Sequence, residues 1–352
     1  MSKIFIKGNE AIAKGALDAG CKCYFGYPIT PQNDIPEYLS HELPRAGGQF
    51  VQAESELAAA NMLLGAGACG VRAMTSSSSP GMSLMQEAIS YMAGSDLPGV
   101  LVNISRGGPG LGDIGPSQAD YFQAVKGGGH GDYRQLVLAP GTVQEAYDLT
   151  IQAFDLSFAY RNPVMILGDA IIGQMMEPIQ PREPFSPDPS EGSSWRLEGR
   201  GNRGPRVLRS LRLKEGMLAK HNLELQDKYT QAKRECSHEE FMARDADLVV
   251  VAFGSIGRIV KSTIRKLREQ GYQVGLVRPI TLFPFPDSAL RELARQGKRF
   301  LTIEHNMGQM VEDVRLALCG LASSGFHPHY PGNLPTPEDF EEPLLKALKE
   351  AD

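Results

Sequence analysis

The sequence predicts an α/β protein built from two doubly wound parallel-sheet domains. Three observations carry that expectation. Short apolar runs alternate with segments of helical period from Lys3 to Gly168, and the alternation resumes at Asp247. A stretch rich in Pro, Ser and Gly without periodicity separates the two runs. At 352 residues, with 38 Gly and 24 Pro to supply many short loops, the chain is long enough for two cores but not plausibly one.

In the first run KIFIK, CYFGYP, VRAMTS, GVLVNIS and PVMILG read as strands, with helices starting near Glu10, Ser55, Pro80 and Val143. Such spacing implies a parallel sheet covered on both faces. Thr142 followed by Glu145 has the form of a capping box, and Gly20 stands where a helix C-cap would. The first domain is expected over residues 1–178. Residues 179–244 are expected to be a Pro/Gly-rich linker followed by a polar, largely helical stretch. In 245–352, LVVVAFG, VGLV and FLTIE read as strands. Ile259, Val260, Thr263, Ile264 and Leu267 form one helical stripe, and a further helix follows Gln309.

Net charge is -5 and the pI about 5.9. Although 195–214 is locally Arg-rich, that balance gives no general footprint for nucleic acid or an anionic membrane. No apolar run reaches the length of a membrane span, and the N-terminal apolar run is short for a signal peptide, so a cytoplasmic location is expected. Cys21, Cys23, Cys69, Cys236 and Cys319 lack C-x-x-C spacing, which argues against a disulfide framework, a zinc site or an iron–sulfur cluster on this chain. They read as small buried hydrophobes, and no metal ligand is assigned.

Five segments could carry chemistry. In Gly26-Tyr27-Pro28-Ile29-Thr30-Pro31 a strand ends, and Thr30 before Pro31 fits an N-cap with Pro at the first helical position. It also sits beyond a strand's carboxyl end, where open α/β sheets bind ligands. In QAESELAAA, Glu54 and Glu56 are ordinary partners of a helix dipole. Glu56, however, heads a nearly apolar helix, where a carboxyl could exchange a proton with a ring nitrogen. Thr75 to Ser79 supply five consecutive hydroxyls. Ser79 is an N-cap candidate before Pro80, but five hydroxyls exceed what one cap needs and could cradle a ligand. Arg106 follows an apolar strand among glycines and could bind a planar carboxylate, or pair with Asp113. The G-x-G-x-x-G over Gly110–Gly115 is not a dinucleotide fingerprint, because it neither follows a strand directly nor opens a helix. His130, in a Gly-rich loop with Asp132, is either an exposed turn residue or a proton carrier.

Taken together, FGYPITPQ, FVQAESELAAANM, MTSSSSPGMSL, NISRGGPGLG, QADYFQAVKGGGHGDYR, RNPVMILGDAIIGQMMEP, VRPITLFPFP and IEHNMGQM closely resemble the α-type subunit of 2-oxoacid:ferredoxin oxidoreductases. The likeness is nearest to the 3-methyl-2-oxobutanoate (2-ketoisovalerate) subfamily, with a 2-oxoglutarate-specific subunit next. It implies a pyrimidine-binding domain for thiamine diphosphate and a second, transketolase C-terminal-like domain. It places Glu56 against the aminopyrimidine, Tyr27, Pro28, Ile29, Thr30, Ser78 and Ser79 around the cofactor, and Thr30, Arg106 and His130 near the substrate. It also implies coenzyme A-dependent oxidative decarboxylation with ferredoxin as acceptor.

The sequence offers no convincing diphosphate site. Gly168-Asp169-Ala170 is the nearest match to the G-D-G that holds Mg²⁺ in thiamine enzymes, and the linker follows it. A β-type subunit is therefore expected to supply the diphosphate and Mg²⁺ site, a ferredoxin-like subunit the 4Fe–4S clusters, and a γ-type subunit to complete the assembly. Two other readings stand beside this one: a nicotinamide-dependent dehydrogenase, disfavoured by the failed fingerprint, and a non-catalytic scaffold subunit, disfavoured by the presence of Thr30, Glu56 and Arg106.

Overall fold

A computed structural model describes residues 2–186, 188 and 190–349. The strands are β1 Ile4–Lys7, β2 Cys23–Gly26, β3 Gln49–Gln52, β4 Ala73–Ser77, β5 Gly99–Ser105, β6 Leu136–Leu138, β7 Pro163–Asp169, β8 Met176–Ile179, β9 His238–Phe241, β10 Leu248–Val251, β11 Val274–Pro279, β12 Thr281–Phe283, β13 Arg299–Glu304 and β14 Ser324–Pro328. The α-helices are α1 Gly8–Asp18, α2 Asp34–Arg45, α3 Glu56–Ala68, α4 Ser79–Gly94, α5 Tyr121–Lys126, α6 Val143–Tyr160, α7 Ala170–Gln174, α8 Met217–Ala232, α9 Gly254–Glu269, α10 Asp287–Arg295, α11 Met310–Leu318 and α12 Glu341–Lys349.

Two mainly parallel sheets, each with an antiparallel edge strand, realise the expected α/β class. The first runs β12-β6-β7-β5-β4-β2-β3 and the second β14-β13-β10-β11-β9. Strands β4, β5, β6 and β7 are buried at every residue, as expected of a sheet covered on both sides. In the first sheet the chain steps from β2 outward to β3, then crosses back to β4 on the other side of β2. That reversal is a topological switch point, and it opens a crevice beyond the ends of β2 and β4.

The structure differs from the sequence reading in several places. KIFIK is a strand, but β1 pairs antiparallel with β8 in a separate two-stranded ribbon. Phe5, 66% exposed, marks a strand with one wet face, which an interior position would not allow. The structure adds the strands β3, β6 and β12, each of only three or four residues, and the helix α2, which buries Ile35, Leu39 and Leu43 on one face. The stretch read as helical to 244 is helical over Met217–Ala232 and then becomes β9, antiparallel to β11. From the far side of the chain, β12 adds antiparallel to β6 and ties the two halves together. Thr142 caps α6 as expected, but Glu145 completes no box: its carboxylate takes the Gly141 N–H and a bidentate bond from Arg278. Gly20 takes φ 78 directly after α1, the left-handed step expected there. Cys21 is buried, whereas Cys69 and Cys319 are exposed because each is the C-cap of a helix, where the chain leaves the core.

Candidate active site

Every functional side chain brought together here hangs from the carboxyl edge of the first sheet. Ser55 caps α3, its hydroxyl accepting from Ala58 N at 3.2 Å, and this cap sets Glu56 as the first helical residue. Glu56 is only 6% exposed. Glu54, two residues earlier, is exposed, so the fold separates the pair that local pattern could not. The Glu56 carboxyl lies against the first turn of α4. A Cβ on Gly81 would come 2.5 Å from Glu56 Oε1 and 2.1 Å from Ser77 Oγ, so the two oxygens converge on one point that only glycine leaves open.

Serine hydroxyls at the carboxyl ends of β4 and β5 lack partners. Ser77 Oγ, Ser78 Oγ and Ser105 Oγ are buried and make no hydrogen bond. Buried polar groups are rarely left so, and a cluster of them at a strand edge is the mark of a site that a polar ligand completes. Ser78 is the N-cap of α4, displacing Ser79 from that expected position, yet its side chain makes no capping bond. Ser79 is instead fully engaged: its hydroxyl donates to Asp120 Oδ2 at 2.6 Å and accepts from Arg106 N at 2.9 Å. Asn103 ties the same network, its amide donating to Asp120 at 2.8 Å while its oxygen accepts from Ser79 N.

Arg106 is 8% exposed and has no acidic partner among the described residues. Its Nη1 donates to Thr30 O at 2.9 Å, its Nη2 to Leu111 O at 3.2 Å, and its Nε is buried without an acceptor. The alternative partner, Asp113, turns its carboxylate to Ile114 N at 2.7 Å. A buried guanidinium facing only carbonyls retains donors for a planar anion.

Thr30 therefore meets Arg106, but through its carbonyl. Its side chain is exposed and accepts a long 3.4 Å bond from Asn33, and helix α2 begins only at Asp34. The expected cap at Thr30 fails because the carbonyl of Pro31 is already taken by Asn9 and Gln174, which leaves it unavailable to a helical turn. Tyr27 and Pro28 are exposed and Ile29 half-buried on the same turn, held by Gln32, whose amide donates to Tyr27 O. Beneath them Tyr24, Ser76 and Gln32 form a buried hydrogen-bonded chain, with contacts of 2.6 Å across the gap between β2 and β4. Burial holds the Tyr24 phenol well above its ordinary pKa.

His130 does not join this group. Its carbonyl accepts from Ser90 Oγ at 2.8 Å, eleven residues down α4 from Ser79, which places it about 16 Å away at the opposite end of the helix. Its ring is exposed because the Gly-rich loop lies flat over Gln86 and Ser90. Asp169, at the near match to a G-D-G, caps α7 and accepts from Ser255 of α9; burial raises its pKa. Among the described residues no group of three or more His, Cys, Asp or Glu could hold a metal ion. The arrangement suits the pyrimidine half of thiamine diphosphate: an unpartnered carboxyl, free hydroxyls and a glycine-cleared floor.

Residues 14–240 match the family described as pyruvate flavodoxin/ferredoxin oxidoreductase, thiamine diP-binding, and residues 246–340 match pyruvate:ferredoxin oxidoreductase core domain II. The chain belongs to the 2-oxoacid:ferredoxin oxidoreductase family. The chain is 50% identical to the ketoisovalerate oxidoreductase subunit VorB of Methanothermobacter thermautotrophicus, covering 90% of each. Identity to the 2-oxoglutarate synthase subunit KorA of the same organism is 37%, covering 97% of this chain and 98% of the relative. Among solved structures it is similar to a 2-oxoglutarate:ferredoxin oxidoreductase from Magnetococcus marinus with 2-oxoglutarate, coenzyme A and succinyl-CoA bound, at TM-score 0.86 and 26% identity. That match covers 98% of this chain but only 65% of the solved one. A split-gene transketolase, at TM-score 0.62 and 15% identity, shares the fold alone.

The sequence singles out Glu56, Arg106 and the hydroxyl run, and the fold adds Gly81, Asn103 and Asp120 beside them. Asn103 did leave a signal, a lone amide inside the otherwise apolar GVLVNIS strand. Gly81 left none, since its role exists only where α3 and α4 meet.

Proposed function

We propose that this chain supplies the pyrimidine-activating half of a thiamine diphosphate site that oxidatively decarboxylates branched-chain 2-oxo acids, with 3-methyl-2-oxobutanoate first, to acyl-CoA and CO2. The observation that carries this reading is the Glu56 side chain, 6% exposed and with no carboxyl hydrogen bond among the described residues, converging with the orphaned Ser77 hydroxyl on the gap that Gly81 leaves. Bound thiamine diphosphate supplies the carbon nucleophile and electron sink that the reaction requires. Glu56 exchanges a proton with N1′ of the aminopyrimidine, Ser77 and Ser78 accept or donate at the ring edge, and the Ser79–Asp120–Asn103 network holds the backbone from which Arg106 projects. Arg106 binds the substrate carboxylate through its spare donors.

The site is half a site, and its partner chain supplies the diphosphate and Mg²⁺ contacts. In support, α3 is apolar nearly all round, yet Leu57 and Met62 are exposed on it, and Leu84 is exposed on α4, the helix packed against it. A helix of that kind is normally covered on every side. A γ-type chain and a ferredoxin-like chain carrying 4Fe–4S clusters complete the assembly and pass electrons to ferredoxin. The branched-chain preference rests on the 50% identity to VorB against 37% to KorA.

The reconstituted complex should reduce ferredoxin or a viologen dye only with both a 2-oxo acid and coenzyme A present, fastest with 3-methyl-2-oxobutanoate, while this chain alone is inert. Turnover by the isolated chain, or dependence on a nicotinamide, would sink the proposal. A preference for 2-oxoglutarate would move the chain to the neighbouring subfamily.

A further inference from the structure

The loop that follows Arg106 displays two aliphatic side chains in water, and the backbone carbonyl of one of them, Leu111, accepts from the guanidinium. Leu111 is 81% exposed and Ile114 61%. Aliphatic side chains of this size gain by being covered, and these two stand three residues apart on one loop.

The display is built. Gly107 N donates to Gly115 O and Asp113 N to Gly107 O, both at 3.0 Å, and Arg106 bridges antiparallel to Pro116. Gly110 and Gly112 flank Leu111 at φ 68 and φ 56, and a side chain at position 112 would meet Gly107 O at 1.9 Å. The loop is thus folded on itself with Leu111 at its tip. Leu111 O is also an acceptor of the Arg106 guanidinium, at 3.2 Å. Asp113, the only acid on the loop, is turned to Ile114 N and lies close to Gly332, so the loop's own carboxylate does not pair with Arg106.

A 2-oxo acid seated by its carboxylate on Arg106 has its tail only a few bond lengths away, on the scale of the loop whose Leu111 carbonyl accepts from that guanidinium. The geometry points to Leu111 and Ile114 as the apolar wall that selects a branched aliphatic tail over a small or an acidic one. This rests on Arg106 being the carboxylate anchor, which the test therefore checks separately.

In the reconstituted holo-complex, kcat/KM is measured for 3-methyl-2-oxobutanoate, pyruvate and 2-oxoglutarate with Leu111→Ala, Ile114→Ala, Leu111→Arg and Arg106→Ala. Leu111→Ala and Ile114→Ala each lower kcat/KM for 3-methyl-2-oxobutanoate about ten-fold relative to pyruvate, the scale at which a hydrophobic pocket discriminates a missing contact. Leu111→Arg shifts the ratio toward 2-oxoglutarate. Arg106→Ala raises KM for all three acids alike. If Arg106→Ala acts that way while the Leu111 and Ile114 variants leave the substrate ratios unchanged, the wall is refuted and the anchor stands. If Arg106→Ala leaves every KM unchanged, the anchor itself is refuted. Loss of complex on size exclusion with Leu111→Ala would also overturn the inference, since the two residues would then be covered by a partner chain.

Discussion

Two carboxylates sit at corresponding places in the two halves of this chain, and they are treated oppositely. Glu304 ends β13 at the carboxyl edge of the second sheet and is fully buried. It accepts from Asn306 Nδ2 at 2.9 Å and from the backbone N–H groups of Gln309, Met310 and Val311, so it closes the amino end of α11. Around it His305, Asn306 and Gln309 bond to Gln118 and Ala119 of the first half. The Glu56 carboxyl, at the amino end of α3 beside the first sheet, makes no hydrogen bond among the described residues and has the orphaned Ser77 hydroxyl for a neighbour. The Glu304 carboxylate is saturated, and its surroundings serve to join the halves. The other is left chemically open, which a buried acid tolerates only where something else is to fill the place.

The sharpest way to break this contrast is to neutralise each acid in turn. Glu56→Gln should lower turnover of the assembled complex roughly a hundred- to ten-thousand-fold, the range expected for a lost proton-transfer group. Its stability, read from urea midpoints, should shift by less than about 0.5 kcal/mol. Unchanged turnover would remove Glu56 from the mechanism. Glu304→Gln should do the reverse: an amide NH2 would face converging backbone donors, and the chain should lose about 3 kcal/mol in the same urea series.

A smaller effect distinguishes the sealed crevice by pH. Burial, with the ring of His329 nearby, lowers the pKa of His305 to about 4. The unfolded chain therefore binds a proton near pH 6.5 that the folded chain refuses, so stability is complete above that pH and falls as pH drops toward about 4, by up to about 3 kcal/mol. Glu304 and Asp169, whose carboxyls burial holds high, act in the opposite direction and temper the slope. His305→Asn should flatten the urea midpoint between pH 6.5 and 4.5; an unaltered slope would assign it elsewhere.

The smallest effect is the most specific to the open crevice. Ser77→Ala should leave the chain as stable or more stable by up to about 1 kcal/mol, because it deletes a buried hydroxyl that has no partner. The thiamine diphosphate concentration giving half-maximal activity should rise several-fold. A clear loss of thermal stability would mean that the hydroxyl is satisfied in the free chain.

By itself the sequence determined the periodic elements. An apolar run of four or more residues buried on both faces, as in GVLVNIS or PVMILG, admits few alternatives to a covered parallel strand, and the Ser55 cap positions Glu56 from local chemistry alone. It also displayed the residue types a thiamine site needs. Only the tertiary structure decided which of them meet. Glu54 and Glu56 differ by two positions on a chain but by burial in the fold, His130 is carried to the wrong end of α4, and Gly81 matters solely because α3 and α4 cross there. Short strands such as β3 and β12 depend on neighbours for their hydrogen bonds, and whether an acid is saturated or left open depends on donors arriving from distant segments. Local pattern carries neither kind of information.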